Sequence, residues 1–304
     1  MSGTVPFDDL LVVDWSAAAV RRLGPDSCWI ARGALHRGSR VTSTNYATRQ
    51  EAAGAIEASL QKSLSAKRRT LVLVDVSFGL PAGAVKILQL EGKPAWRALW
   101  SGVEALIVDD EENKNNRFEV ANALNTDCGT RLFWGRPYAK NFDHFTALPI
   151  KNVDVPGLAP NPLPRLRFCE ELAGPGVISN WMLIGQGSVG GQVLTCLPYL
   201  ERLRTTFGND VGVWPFDGLD LDHQIVVAET WFGLFPWQKS RGSCRDEQQV
   251  RGTHRHFSSL SPQAMSDLFH PAALDVVSAR RRAAILNEEG WTLGVDTRDE
   301  GLLG

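Results

Sequence analysis

The stretch Asp9-Leu-Leu-Val-Val-Asp14-Trp-Ser-Ala17 decides the fold. Its four apolar residues run without a polar break into Asp14, and small residues follow at once. A short continuous apolar run is typical of a strand that is buried on both faces, in the middle of a parallel sheet. We therefore expect an α/β protein in which this strand is central and has an aspartate at its carboxyl end.

The same design recurs about sixty residues later, in Thr70-Leu-Val-Leu-Val-Asp75-Val-Ser77. A turn-forming stretch, Gly79-Leu-Pro-Ala-Gly83, follows it. Open α/β sheets bind their ligands at the carboxyl ends of the strands. If the two strands are neighbours, Asp14 and Asp75 lie side by side at the edge of the sheet where a ligand binds.

The residues between these two strands predict a meander and a helix. Residues 28–31 and 40–46 read as strands that would run antiparallel to the first one. Thr48 begins a helix with the capping-box pattern Thr48-Arg-Gln-Glu51. The predicted order is therefore β-β-β-α-β, with an aspartate closing the first and the last strand. The expected fold class is a mixed sheet flanked by helices.

The later part of the chain predicts an insertion followed by further sheet and helix elements. Residues 91–175 are mostly helical and irregular, so we expect a single domain over 1–304 with an insertion or subdomain there. Two more strands are predicted over 211–216 and 224–231, and a helix over 271–287.

Composition limits the classes of protein that this chain can be. It has 304 residues, 43% of them hydrophobic and 22% charged, with a net charge of −2. This balance gives no overall attraction to nucleic acid or to an anionic membrane. The five cysteines form no Cys-x-x-Cys pair, which argues against structural zinc and a disulfide framework. No signal peptide or membrane span is evident, so we expect a cytoplasmic protein with no membrane partner.

Carboxylates at strand ends are the first candidate site residues. Two such carboxylates repel each other unless a divalent cation, Mg²⁺ or Mn²⁺, lies between them, so Asp14 and Asp75 are predicted metal ligands. Each could instead cap a turn through its side chain. Glu229, which ends another apolar strand, and Asp275, in an early turn of the late helix, are candidates to complete the site. Asp275 could also simply favour the helix dipole.

A glycine-rich segment, Gly185-Gln-Gly187-Ser188-Val-Gly190, matches the dinucleotide fingerprint. Pro198 is expected to interrupt the following helix, and no acidic residue ends the next strand, which argues against a nicotinamide cofactor. The alternatives are a helix start that holds a phosphate through backbone N–H groups, and close helix–sheet packing.

Two further sets of side chains are candidates for contact with a substrate. Ser16, Gly187, Ser188 and Gly190 are the residues predicted to bind phosphate. In the aromatic and basic loop 131–138, Trp134 and Arg136 are the residues predicted to face the substrate.

These pieces together resemble the ribonuclease H-like superfamily and, within it, a bacterial family of unknown function. The similar segments are Val13-Asp-Trp-Ser-Ala17, Val74-Asp-Val-Ser-Phe-Gly-Leu-Pro-Ala-Gly83, Phe133-Trp-Gly-Arg-Pro137, Gly187-Ser-Val-Gly-Gly-Gln192 and the Glu229 strand. The resemblance implies a metal-dependent, phosphodiester-hydrolysing site at Asp14, Asp75 and Asp275, with Glu229 a possible member. Junction-resolving relatives have paired acids on the last helix, whereas here two alanines precede a lone Asp275.

Three functions compete at this point. The leading prediction is a magnesium-dependent hydrolase of nuclease type that acts on a phosphate-containing substrate, with nucleic acid as one candidate. The second is a protein that binds a nucleotide or phosphometabolite, or a phosphotransferase in the actin-like and sugar-kinase style. The third is a non-catalytic scaffold that keeps the fold.

Overall fold

A six-stranded mixed sheet forms the centre of the protein, for which a computed structural model describes residues 7–185, 188–236 and 243–295. The strands of the described chain, in order, are β1 (Asp9–Asp14), β2 (Cys28–Ala34), β3 (Thr42–Tyr46), β4 (Thr70–Val74), β5 (Thr130–Arg131), β6 (Ala159–Pro160), β7 (Val211–Trp214) and β8 (Ile225–Glu229). The short strands β5 and β6 pair with each other, apart from the main sheet.

The order of strands across the main sheet is β3-β2-β1-β4-β8-β7. The first three strands are antiparallel, and β4, β8 and β7 run parallel to one another and to β1. The predicted order β-β-β-α-β and the α/β fold class are confirmed. The predicted neighbours, β1 and β4, pair directly. The topology is compatible with a ribonuclease H-like fold.

Helices cover both faces of this sheet. Those in the described residues are α1 (Arg49–Ser65), α2 (Ala84–Ile87), α3 (Ala95–Leu106), α4 (Arg117–Asp127), α5 (Phe168–Leu172), α6 (Gly190–Phe207), α7 (Arg245–Ser259), α8 (Pro262–Leu268), α9 (Ala273–Val276) and α10 (Ala279–Ala284). A π-helical turn, Ile285–Glu289, follows α10. None of the described helices is long and apolar enough to cross a membrane.

The alternation of side chains along β1 divides the core into two layers. Leu11 and Val13 belong to the cluster that also contains the buried faces of α1, α3 and α6. Leu10 and Val12 belong to the cluster on the other face, where α7 packs against β1 and β2. Asp14 has the same parity as Leu10 and Val12, and therefore projects toward the α7 side of the sheet.

Two predictions about helices were wrong. The helix expected over 271–287 is broken, because Val277 is extended (φ −77°, ψ 157°) and Ser278 caps α10 through its side chain. Pro198 does not interrupt α6, which runs unbroken from Gly190 to Phe207. A proline in a helix costs one backbone hydrogen bond and some steric strain. Burial of residues on both sides of Pro198 in the core offsets that cost.

Candidate cation site at the carboxyl end of the sheet

Asp14 and Asp75 lie level with each other at the carboxyl ends of two paired strands. Asp14 is the last residue of β1, and Asp75 directly follows β4. Val13 pairs with Val74, and the N–H of Asp75 donates to the carbonyl of Val13 at 3.0 Å. Because neighbouring strands are about 4.8 Å apart and both residues share one parity, both carboxylates project toward the α7 side.

The electrostatics of this pair favour a proton or a cation. The pKa of Asp75 is raised to about 7, first by burial and then by the charge of Glu229, while the N–H of Phe232 acts against the rise. The pKa of Asp14 is raised well above its ordinary value, first by burial and then by the charge of Asp75. Within the described chain, no side chain donates a hydrogen bond to either carboxylate, and neither forms an ion pair. The two groups are therefore close and half-buried, and the charge of Arg245 offsets only part of the rise in the pKa of Asp14.

A third carboxylate, Asp246, acts on Asp14 from the first turn of α7. Its Oδ2 accepts the N–H of Asp26 at 2.9 Å, and burial raises its own pKa. The sequence analysis missed Asp246. The next residue, Glu247, turns away and accepts the hydroxyl of Ser43 at 2.7 Å. The helix after β8 thus begins with two acids, and one of them is directed to the β1 end of the sheet.

Asp275, which was predicted to complete the site, lies elsewhere. It is on the short helix α9, its side chain is 77% exposed, and it forms an ion pair with Arg282 at 3.3 Å. It is absent from the charges that act most strongly on Asp14 and Asp75. The structure therefore brings Asp246, and not Asp275, close enough for its charge to act on Asp14.

Glu229 is next to Asp75, as predicted, but all of its acceptor capacity is in use. One carboxylate oxygen accepts from Arg167 and from the hydroxyl of Thr292, both at 2.5 Å. The other accepts from Arg167 at 2.7 Å and from the N–H of Phe78 at 2.8 Å. A carboxylate offers about four lone-pair positions. Glu229 can therefore bind a metal only if it releases one of these donors.

Arg167 is saturated in the same way. Its five N–H donors contact Glu170, the carbonyl of Glu289, both oxygens of Glu229, and the hydroxyl of Ser77. The guanidinium is fully buried. This network fixes the end of β8 relative to the loop after β4 and leaves Arg167 without a donor for a ligand.

A second buried arginine holds the loop that follows Asp14. Arg49 pairs with both carboxylate oxygens of Asp109, and donates to the carbonyls of Ser16 at 3.0 Å and Ala18 at 2.7 Å. The hydroxyl of Ser16, a predicted phosphate ligand, donates to the carbonyl of Asp26 and accepts the N–H of Ala18. The hydroxyl of Ser16 is therefore engaged in local hydrogen bonds.

The glycine-rich segment packs α6 closely against the preceding chain. A Cβ on Gly190 would lie 2.3 Å from the carbonyl oxygen of Asn180, so only glycine fits there. The N–H of Gly190 donates to Met182 at 3.0 Å, and that of Ser188 donates to Gly185 at 3.1 Å. These two amides are therefore already hydrogen-bonded. Gly187 lies outside the described residues.

The two residues predicted to face a substrate belong to a different part of the surface. Trp134 exchanges backbone hydrogen bonds with Trp181 and Leu183 and packs, partly buried, against the core. Arg136 forms an ion pair with Asp143 at 2.9 Å.

A cavity of about 300 Å³ opens beside Asp75 at the carboxyl end of the sheet. Its polar lining is formed by Asp75, Ser77, Arg167, Glu170, Glu229, Thr230, Arg245 and Thr292. The remaining lining residues are Val76, Ala173, Gly176, Val177, Ile178, Val189 and Trp231. Neither Trp134 nor Arg136 is among them.

The Asp14–Asp75 pair offers two carboxylates to a cation. In the described residues, no group of three or more His, Cys, Asp or Glu side chains is arranged to hold a metal ion. Mg²⁺ is usually held by one or two carboxylates, with water and substrate phosphate completing its shell, so the Asp14–Asp75 pair fits this ion. Comparison with protein-family models, with curated protein sequences and with solved structures finds no match for the chain.

Proposed function

We propose that this protein is a divalent-cation-dependent hydrolase of phosphate esters, built on a ribonuclease H-like fold. The observation that carries the proposal is the Asp14–Asp75 pair. Two half-buried carboxylates lie level at the ends of neighbouring parallel strands, and in the described chain neither of them forms an ion pair. Repulsion between the two carboxylates raises the free energy of the folded state, and a bound divalent cation removes that cost.

Asp14 and Asp75 would hold a Mg²⁺ or Mn²⁺ ion, with the charge of Asp246 adding to the negative potential at Asp14. Two carboxylates leave most of an octahedral shell to water and substrate, which suits Mg²⁺ better than Ca²⁺, since Ca²⁺ takes six to eight oxygen ligands. When bound, such an ion supplies stabilisation of the charge that develops on the phosphoryl oxygens.

Other residues of the chain support this edge in fixed geometry. Arg49 anchors the loop after Asp14, and the Arg167–Glu229 network anchors the segment after Asp75. Catalytic groups need supporting contacts that lock their positions, and both anchors are buried. Arg245, exposed at the start of α7, lowers the pKa of Asp14 and lines the cavity, where it would face a phosphate.

The alternatives have less support. A nucleotide-binding or phosphotransferase role for the glycine-rich segment would need free backbone donors, and those of Ser188 and Gly190 are engaged. A scaffold without catalysis would not need two carboxylates side by side, since their repulsion and burial oppose folding.

Hydrolysis of a phosphodiester and a phosphomonoester, bis-p-nitrophenyl phosphate and p-nitrophenyl phosphate, tests the proposal. With Mg²⁺ or Mn²⁺ present, we expect metal-stimulated release of nitrophenol from at least one of them. Asp14→Asn removes one of two ligands and is expected to lower the rate about 100-fold or more.

Asp275→Asn is the matched control. It makes the same chemical change at a carboxylate that is exposed and paired with Arg282, so its rate should equal that of the wild type. Hydrolysis that survives in Asp14→Asn, or that is lost equally in Asp275→Asn, would contradict the proposal. Circular dichroism of both variants checks that they fold.

A further inference from the structure

The cavity beside Asp75 gives a more specific prediction about the substrate, one that rests on the proposed function. Of its charged lining groups, Glu229 and Arg167 have their full complements of hydrogen bonds within the protein. Glu170 accepts from Arg167 and Asn180. Because these groups are already hydrogen-bonded within the protein, recognition of a ligand depends on the rest of the lining.

The rest of the lining combines one aromatic ring, apolar side chains and a cation with the polar residues Asp75, Ser77, Thr230 and Thr292. The half-buried indole of Trp231 lies in close contact with Gly233, where a Cβ would be 2.8 Å from the ring. Val177, Ile178 and Val189 supply apolar wall, and Arg245 lies on the same cavity while acting on Asp14. An aromatic ring and apolar side chains in one lining suit a flat, uncharged ring.

Size restricts the ligand further. A volume of about 300 Å³ equals that of roughly ten water molecules and is at the lower end of small-molecule pockets. One heteroaromatic ring system, with one ring or two fused rings, fits this space, and a base-paired duplex does not. The polar side of the cavity, at Asp75 and Arg245, leads to the proposed cation site.

We propose that the cavity binds the base of a single nucleotide, stacked on Trp231, with its phosphate directed to Arg245 and to the Asp14–Asp75 pair. The recognised unit is one unpaired nucleotide, either free or at the end of a single strand. Stacking on an aromatic side chain tolerates any base, because every base has a π-face. Thus the pocket selects nucleotides as a class and discriminates little among bases.

Calorimetric titration with adenosine 5′-monophosphate in the presence of Mg²⁺ tests this inference, with ribose 5-phosphate as the probe that lacks a base. We expect saturable binding of the nucleotide and binding of ribose 5-phosphate that is weaker by about tenfold or more. Trp231→Leu should weaken nucleotide binding by a similar factor. Trp134→Leu, a half-buried tryptophan that does not line the cavity, should bind as the wild type does.

Ile178→Trp is a second variant, and it leaves Trp231 intact. Ile178 is half-buried and lines the cavity, so the larger tryptophan side chain should fill that space. It should also abolish nucleotide binding. A single-stranded oligoadenylate of five residues separates the two sources: tighter binding than the monomer indicates a strand end, and equal or weaker binding indicates a free nucleotide.

Two results would overturn the inference: equal binding of the two monomer probes, or wild-type affinity in both Trp231→Leu and Ile178→Trp. Failure of the proposed function looks different. In that case the nucleotide binds and depends on Trp231, yet no phosphate ester is hydrolysed in a manner that depends on Asp14.

Discussion

Replacement of Asp75 by asparagine is expected to stabilise the protein at neutral and alkaline pH. The pKa of Asp75 rises from 3.8 to about 7 on folding, because the carboxylate is buried and lies near Glu229. Between pH 4 and 7 the unfolded chain releases this proton while the folded chain keeps it. The free energy of unfolding of the wild type therefore falls as the pH rises through that window. Asp75→Asn has no carboxyl group to titrate at this position, so its free energy of unfolding does not fall for this reason.

The size of the effect follows from the two pKa values. A change from 3.8 to about 7 has an upper bound of about 4 kcal/mol, since each tenfold change in an equilibrium constant is about 1.4 kcal/mol. Because the side chain is half-buried and water screens it in part, we expect Asp75→Asn to gain about 1–2 kcal/mol at pH 8 and much less at pH 4.

Urea unfolding of the wild type, Asp75→Asn and Asp275→Asn at pH 4, 6 and 8, without divalent cations, measures this difference. Asp275→Asn should follow the wild type at every pH. A destabilised Asp75→Asn at pH 8, or a difference from the wild type that does not change with pH, would refute the reasoning about the carboxylate pair.

Two further predictions concern the packing that supports this edge. Asp109→Ala leaves the fully buried Arg49 without its bidentate partner and should cost about 3–5 kcal/mol in urea unfolding; a loss below about 1 kcal/mol would contradict this. Gly190→Ala should lower the free energy of unfolding by about 1–3 kcal/mol, because its Cβ would meet Asn180. Gly54→Ala, in open space within α1, should raise it by about 0.5–1 kcal/mol. Equal effects at the two glycines would contradict the close packing of α6.

The main sheet could be predicted because its central strands carry their own signal. β1 and β4 are continuous apolar runs, and their burial on both faces is what such runs require. Each run ends in an aspartate, so pairing of the two strands was enough to place Asp14 beside Asp75. That part of the candidate site depends on local sequence and on one topological expectation.

The third carboxylate could not be predicted from the same kind of signal. Asp246 starts α7, whose buried residues are mainly polar or small, with Val250 and Phe257 as its large apolar side chains. Because its buried face has only two large apolar side chains, this segment was not predicted to be a helix. Asp275 was favoured because a regular pattern surrounds it, and the extended Val277 that breaks this helix carries no local warning.

The role of Glu229 also depended on a distant residue. Its position at the end of β8 beside Asp75 follows from strand order, but its engagement by Arg167 comes from a contact 62 residues away in sequence. An irregular segment before α5 supplies this arginine, and nothing in its composition indicates its partner. Likewise the choice of Trp231 over Trp134 as the residue lining a cavity requires the tertiary structure.

Binding of Mn²⁺ to the apoprotein, measured by calorimetry or electron paramagnetic resonance, tests the central claim most directly. We expect one saturable site in the wild type and in Asp275→Asn, and loss of that site in Asp14→Asn and in Asp75→Asn. No saturable Mn²⁺ binding in the wild type, or unchanged binding in Asp14→Asn and Asp75→Asn, would contradict it.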